Sequence, residues 1–293
     1  MLRALPRMAI AVAHDAGTAC QLGREPSWPW CRVTPPVTAV GTHGRSAAGR
    51  RGRAGRQYAA VRPPLAVGMI VTSGSGMEST MTVAPQLVAT DPEEVIAAIL
   101  ANYSVYDGPP GSYAVAVSGP AGAGKSTLTR QLQAGLARVA GVGPAVPFFA
   151  VDWYTIGACA KRGRGWPGYN WLRWQEEVLD PIYLGEAITC TIRDWESRQV
   201  IGEISAPPTP IRLLEGVGLF HPSRLPYLRN RVWVDCDLDV AQALGIERSL
   251  AGGRHEHVGR WRNIWGPNDR DFIEAFHPEK QADILYKWQA RSC

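Results

Sequence analysis

The 293-residue chain lacks several features at once, and each absence narrows what it can be. No apolar run approaches the ~18 residues of a membrane-crossing helix, so insertion into a bilayer is not expected. The six cysteines (Cys20, Cys31, Cys159, Cys190, Cys236, Cys293) form no C-x-x-C pair. That scatter suggests neither a zinc ribbon nor a disulfide framework, and it fits a reducing, cytoplasmic setting. Internal repeats are absent. Lysine and acid are nearly missing from the first 66 residues, which hold ten Arg, no Lys and only Asp15 and Glu25. The remainder carries 21 basic and 24 acidic residues, a net of −3. The overall +5 therefore belongs to the leader, and a nucleic-acid partner for the rest of the chain is not expected.

Residues 1 to 80 form an Ala/Gly/Pro/Arg-rich leader without sustained periodicity of either kind. Such a segment cannot bury much apolar surface and is expected to be disordered. Three explanations stand beside one another: a targeting peptide, a nucleic-acid-binding tail, or translated upstream sequence with the start at Met69, Met77 or Met81. The last is preferred, because there is neither a clear amphipathic helix nor a compact apolar stretch. Residues 81 to 293 are expected to form one domain.

The most informative stretch is Gly119, Pro120, Ala121, Gly122, Ala123, Gly124, Lys125, Ser126 and Thr127, which fits G-x-x-x-x-G-K-[ST]. Upstream, Tyr113–Ser118 reads as a short buried strand. Downstream, Leu128, Leu132, Leu136 and Val139 recur at helical spacing. Glycines let backbone N–H groups at a helix N-terminus wrap phosphate oxygens. Lys125 then neutralises the β/γ-phosphates and Ser126 sits on Mg²⁺, which makes ATP and Mg²⁺ the expected ligands.

Further strands are expected over residues 146 to 151, 211 to 214, 231 to 234 and 282 to 286. Helical stretches lie between them, over 172 to 183 and 238 to 250. A capped helix start is read at Thr90-Asp91-Pro92-Glu93-Glu94, where order is expected to begin. Strands alternating with helices predict an α/β fold: a P-loop NTPase three-layer sandwich with a mainly parallel sheet of about five strands and helices on both faces. Ligands in such sheets collect beyond the carboxyl ends of the strands. Asp152 follows the second strand, where it can be a proton acceptor, a Mg²⁺ partner or a helix cap. Glu215 ends the third strand in the pattern of a Walker B acid beside the metal.

The chain resembles the uridine kinase–phosphoribulokinase group of P-loop kinases, in particular uridine-kinase-like proteins of the actinobacterial type. The resemblance runs over residues 110 to 288. It is carried by the GPAGAGKST loop, VDWY at Val151–Tyr154, YNW at 169 to 171, RDW at 193 to 195, LLEGVGLF at 213 to 220 and VWVDCDLDVA at 232 to 241. It implies transfer of a γ-phosphate to a nucleoside hydroxyl, with Asp152 as base and Glu215, Ser126 and Asp152 around Mg²⁺. Tyr154, Tyr169, Trp171, Arg193 and Asp194 would form the acceptor site, and Arg248 and Arg254 the lid. Two departures are visible: Asn170 stands where many relatives have Asp, and the lid lacks the usual Arg-Asp pair. Arg162, Arg164 and Arg173 keep a phosphosugar acceptor open, pantothenate is a further option, and a nucleotide-binding switch without an acceptor is the reading from another class.

Eleven Trp are present, and both stacking on a base and core packing are open to them. Trp261 and Trp265, four apart, are expected to pack on one helix face. With no third ligand beside His255 and His257 in the sequence, a metal site there is not expected.

Overall fold

A computed structural model describes residues 31–32, 86–139, 142, 146–156 and 161–287. The 1-to-80 leader thus lies outside the described residues, apart from the two-residue strand β1 (Cys31–Arg32). In chain order follow β2 (Leu87–Ala89), α1 (Pro92–Ser104), β3 (Tyr113–Ser118), α2 (Lys125–Leu136) and β4 (Phe148–Ala150). A 3₁₀ turn (Val151–Tyr154) leads on to a helix made of α3 (Trp171–Trp174), a π-helical stretch (Gln175–Leu179) and α4 (Asp180–Tyr183). Then come β5 (Ile188–Arg193), β6 (Val200–Ala206), β7 (Ile211–Glu215), β8 (Asn230–Asp235) and α5 (Leu238–Ala251). A second interrupted helix joins α6 (His257–Arg260), a π-helical stretch (Trp261–Trp265) and α7 (Gly266–Phe276), before α8 (Pro278–Gln281) and β9 (Ile284–Lys287).

Strand β3 is buried at every position, and its alternation explains the layers. Ala114 and Ala116 belong to one core with Phe149, Trp174, Leu179 and Leu214. Val115 and Val117 belong to the other, with Leu128, Leu132, Leu136, Val95 and Ile99. A strand covered on both faces needs apolar residues on both, which is why it reads as a continuous run. Each fully buried Leu of α2 contributes about 2 kcal/mol from apolar burial alone. Helices α1 and α2 pack closely; a Cβ on Gly135 would lie 2.2 Å from Ile96 Cδ1. Helix α1 begins at the N-cap Asp91, whose side chain accepts from Glu93 N while Glu94 reaches back to the Asp91 N–H.

The main sheet has the order β2-β9-β8-β3-β7-β4 and every pairing in it is parallel. It has six strands where about five were expected. The extra one, β2, is a three-residue edge strand with two exposed positions, and β9 supplies its pairing. A short run of that kind carries no period for the sequence to display. The sequence reading also missed a separate antiparallel sheet, β1-β6-β5. In β6 only Gly202, Ile204 and Ala206 face inward. Central β3 is flanked by β7 and β8, so the carboxyl ends of β4, β7 and β3 open side by side.

Candidate active site

The loop after β3 takes backbone shapes that its glycines allow. Gly122 has φ 91 and Gly124 has φ 85, and a Cβ on Gly122 would stand 2.1 Å from Ala241 O. Gly124 is the N-cap of α2, so the free N–H groups of that helix open onto the loop. Lys125 is 7 % exposed and its Nζ donates to Pro120 O at 2.8 Å. The register places the acids beside it. Val117 and Ala150 both pair with Glu215, and Asp152 follows Ala150 by two residues.

These groups line one cavity of about 470 Å³ with Arg130, Arg248, Arg254, Trp166, Tyr169, Trp195, Trp261 and Trp265. A second compartment of about 360 Å³ shares Ser126, Arg130, Asp152, Trp195 and Glu215 with it, and adds Trp153, Arg193 and Asp194. Asp152 accepts a hydrogen bond from the Tyr169 hydroxyl at 3.0 Å. Burial, and then the Asp152 charge, push Glu215 up to about 7; Lys125 and a hydrogen bond with Ser126 pull it the other way. Ser126, Glu215 and Asp152 offer an all-oxygen donor set of the kind Mg²⁺ takes, so these residues fit that ion. The glycine loop, Lys125 and three arginines fit a polyphosphate.

The residues singled out from the sequence are not all brought together. Tyr169 is at the main cavity, as are Arg248 and Arg254, whereas Arg193 and Asp194 line the second compartment. Asp194 accepts from the backbone N–H groups of Glu196 and Ser197, which staples the β5–β6 turn. Tyr154 lines neither compartment. It is buried against Trp174 and its hydroxyl donates to Glu177. Trp171 also stays outside: its indole N–H donates to Gly165 O and Trp166 O, and the Arg224 guanidinium lies over its ring, 3.5 Å from the centroid. Asn170 caps α3 by accepting from Arg173 N. Trp261 and Trp265 do pack on each other, with ring centroids 4.9 Å apart, but within a π-helical stretch rather than an α-helix.

No family model and no curated protein matches the sequence. Solved structures do. One is a candidate fructose transport system kinase from Silicibacter sp. TM1040, with a TM-score of 0.56 at 19% identity, covering 68% of this chain and 100% of that one. Another is a possible uridine kinase from Bacillus stearothermophilus, with a TM-score of 0.51 at 16% identity, covering 67% and 97%. The chain shares the fold of these structures, a P-loop NTPase α/β sandwich with a mainly parallel sheet.

Within this P-loop NTPase fold, several residues that line the cavity or contact its surroundings had no signature in the sequence. Asp269, on α7, is 5 % exposed and accepts from the Ala121 N–H of the P-loop at 2.7 Å. Burial pushes it up to about 7, against the pull of Lys125 and of the Ala121 N–H. Its neighbour Asn268 accepts from Gly163 N and donates to Lys161 O, both at 3.0 Å. Arg130, one helical turn past Ser126, reaches both compartments. His257 gains the third ligand that the sequence did not offer: its Nε2 is 2.9 Å from Glu196 and 3.4 Å from Glu256, and the three ligand atoms lie within 4.8 Å of one another. Arg260 reaches the same Glu196 oxygen at 3.5 Å, so the contact also works as an ion pair tying α6 to the hairpin turn. The Asp269–Ala121, Asn268–Gly163 and His257–Glu196 contacts each close a sequence separation of more than 60 residues, which a local pattern cannot report.

Among the described residues, no helix is long and apolar enough to cross a membrane.

Proposed function

We propose that the chain is an ATP-dependent phosphotransferase that moves the γ-phosphoryl group to a hydroxyl of a small, nucleoside-like acceptor in the cytoplasm. The observation that carries this is the convergence of Lys125, Glu215 and Asp152 from adjacent strand ends on one cavity with room beyond the P-loop. A pure nucleotide-binding switch has no need of an acid at that position with an aromatic-walled space beside it.

In this reading the P-loop amides and Lys125 bind the polyphosphate, and Arg248 and Arg254 cover it from the α5 side. Asp152 takes the proton from the acceptor hydroxyl, whose oxygen then bonds to the γ-phosphorus as the bond to ADP breaks. The Tyr169 hydroxyl holds the Asp152 carboxylate in place through their 3.0 Å bond. Ser126 and Glu215, with Asp152, would hold Mg²⁺, which when bound neutralises charge on the phosphates. Arg130 and the lid arginines add charge for the transferring group.

The test is Mg²⁺-dependent ADP release by the full chain across nucleosides, pantothenate and sugar phosphates, with Asp152→Asn run in parallel. Stimulation by one acceptor, lost in the variant by 10²-fold or more, is the expected result (a base typically supplies about 10²–10⁴-fold). Tight ATP binding with no acceptor response would replace this reading with the nucleotide switch.

A further inference from the structure

At the seam between the β5–β6 hairpin and α6, donor atoms from two elements 61 positions apart in the chain converge. His257, the first residue of α6, turns its Nε2 to Glu196 Oε1 of the hairpin turn at 2.9 Å and to Glu256 Oε1 at 3.4 Å. The three ligand atoms lie within 4.8 Å of one another.

Contacts outside the cluster hold its parts in place. The His257 side chain is 2 % exposed, and its ring packs edge-on against two indoles, 5.3 Å from Trp195 and 5.5 Å from Trp265. Its backbone N–H donates to Arg254 O at 3.1 Å. On the other side, Glu196 sits in the turn that Asp194 staples, and Thr155 Oγ1 donates to the Trp195 carbonyl at 3.0 Å. The side chains of Glu196 and Glu256 are 40 % and 58 % exposed. The cluster is therefore open to water on its carboxylate side and closed on its imidazole side.

A hydrogen-bonded ion pair accounts for only part of this arrangement. A ring nitrogen carries at most one proton, and the hydrogen bond at Nε2 is with Glu196. Glu256 stands against the same nitrogen, and among the described residues its side chain has no other partner. Arg260 reaches Glu196 alone, at 3.5 Å, so two carboxylates meet one guanidinium and one imidazole. An ion with bonds of about 2.0–2.2 Å sets neighbouring donors about 3.0–3.5 Å apart. The separations of 2.9 and 3.4 Å lie near the two ends of that range. The donor set narrows the ion. Mg²⁺ and Ca²⁺ take oxygen throughout, whereas an imidazole with carboxylates suits Zn²⁺ and its first-row neighbours.

We propose that Glu196, Glu256 and His257 form a transition-metal site, distinct from the oxygen set at Ser126, Glu215 and Asp152, and that it takes Zn²⁺ or a similar divalent ion. Water completes the coordination on the exposed side. The ion fastens α6 to the hairpin turn. Arg248 and Arg254 of the main cavity precede α6, and the hairpin carries Arg193 and Asp194 of the second compartment, so the clamp joins one wall of each.

The experiment is titration of the full chain with Co²⁺ in excess Mg²⁺, read by visible absorption, with Zn²⁺ displacement and thermal unfolding alongside. The wild type is expected to show Co²⁺ absorption that Zn²⁺ removes, and a Tm raised by either ion. Losing an outer-shell partner of a metal site costs about 10–100-fold in affinity, so losing a ligand should cost at least that much. Both His257→Gln and Glu256→Gln should show it, and the exposed Glu256 serves where the buried His257 variant fails to fold. Arg260→Gln separates an ion site from an ion pair. It frees the Glu196 oxygen, so Co²⁺ binding should tighten about two- to fivefold, the value of one partly exposed ion pair. Co²⁺ binding that is unchanged or weaker in Arg260→Gln would reduce the cluster to a salt bridge. A wild type without Co²⁺ absorption, or with absorption that survives Glu256→Gln at full affinity, would overturn the site.

Discussion

Changing Asp269 to Asn should remove a pH-dependent penalty on folding, and the structure gives its size. Burial lifts this carboxyl from 3.8 to about 7. The folded state therefore keeps a proton that the unfolded chain has already released, and stability falls as pH rises between those two values. Below 3.8 there is no effect, and above about 7 the penalty is complete. Roughly three pH units at ~1.4 kcal/mol each make the full penalty about 4 kcal/mol. About half of it is incurred between about pH 5.5 and pH 7. Asn offers the same oxygen to the Ala121 N–H and does not ionise, so the variant keeps the 2.7 Å bond while losing the penalty. Urea unfolding of both proteins at about pH 5.5 and about pH 8 measures this. The advantage of the variant should grow by about 2 kcal/mol between the two, and Glu215, which titrates in both proteins, cancels in the difference. An advantage that changes by less than about 0.5 kcal/mol would refute the assignment of a buried, ionising carboxyl.

Lys125→Ala should weaken ATP binding by about 100-fold, the value of a charge-assisted contact in a water-poor site, read by calorimetry or by the ATP-induced shift in Tm. Gly122→Ala should cost about 3 kcal/mol or more, because its Cβ meets Ala241 O at 2.1 Å and its φ is 91; a Tm within about 2 °C of wild type would contradict the tight loop. Arg212 is fully buried on β7; among the described residues it has only Glu186 O as a hydrogen-bond acceptor and two unpartnered nitrogens, and burial pushes it down to about 10. Arg212→Met should therefore be neutral or stabilising by about 1–2 kcal/mol in chemical unfolding.

The P-loop, its strand and its helix were legible because the contacts they need are local: glycines at fixed offsets, then Leu128, Leu132 and Leu136 on one face. Glu215 and Asp152 were legible because a parallel sheet delivers strand ends to one edge, and register alone brings them together. What escaped depends on side chains meeting across the fold. Tyr154 and Trp171 sit in motif-like positions, yet they turn into the core because Glu177, Trp174 and Arg224 satisfy them there. Asp269 is separated from Ala121 by 148 positions, and no pattern in the intervening chain links them. Strand β6 was missed because it opens with two consecutive exposed apolar residues, Val200 and Ile201, which blur the alternation.

Asn268 and Asp269 are consecutive, and between them they touch both halves of the site: one the turn that carries Trp166, the other the P-loop. Consecutive helical residues point about 100° apart, so a single phase of α7 satisfies both loops. That phase is inherited from the π-helical stretch Trp261–Trp265 immediately before it, where the chain takes more residues per turn than an α-helix does. Removing one residue there would leave a regular helix and rotate both side chains away from their loops together. The spacing between the P-loop and the Trp166 turn is in this sense a matter of helical phase, written into the residue count of a segment that lies outside both loops.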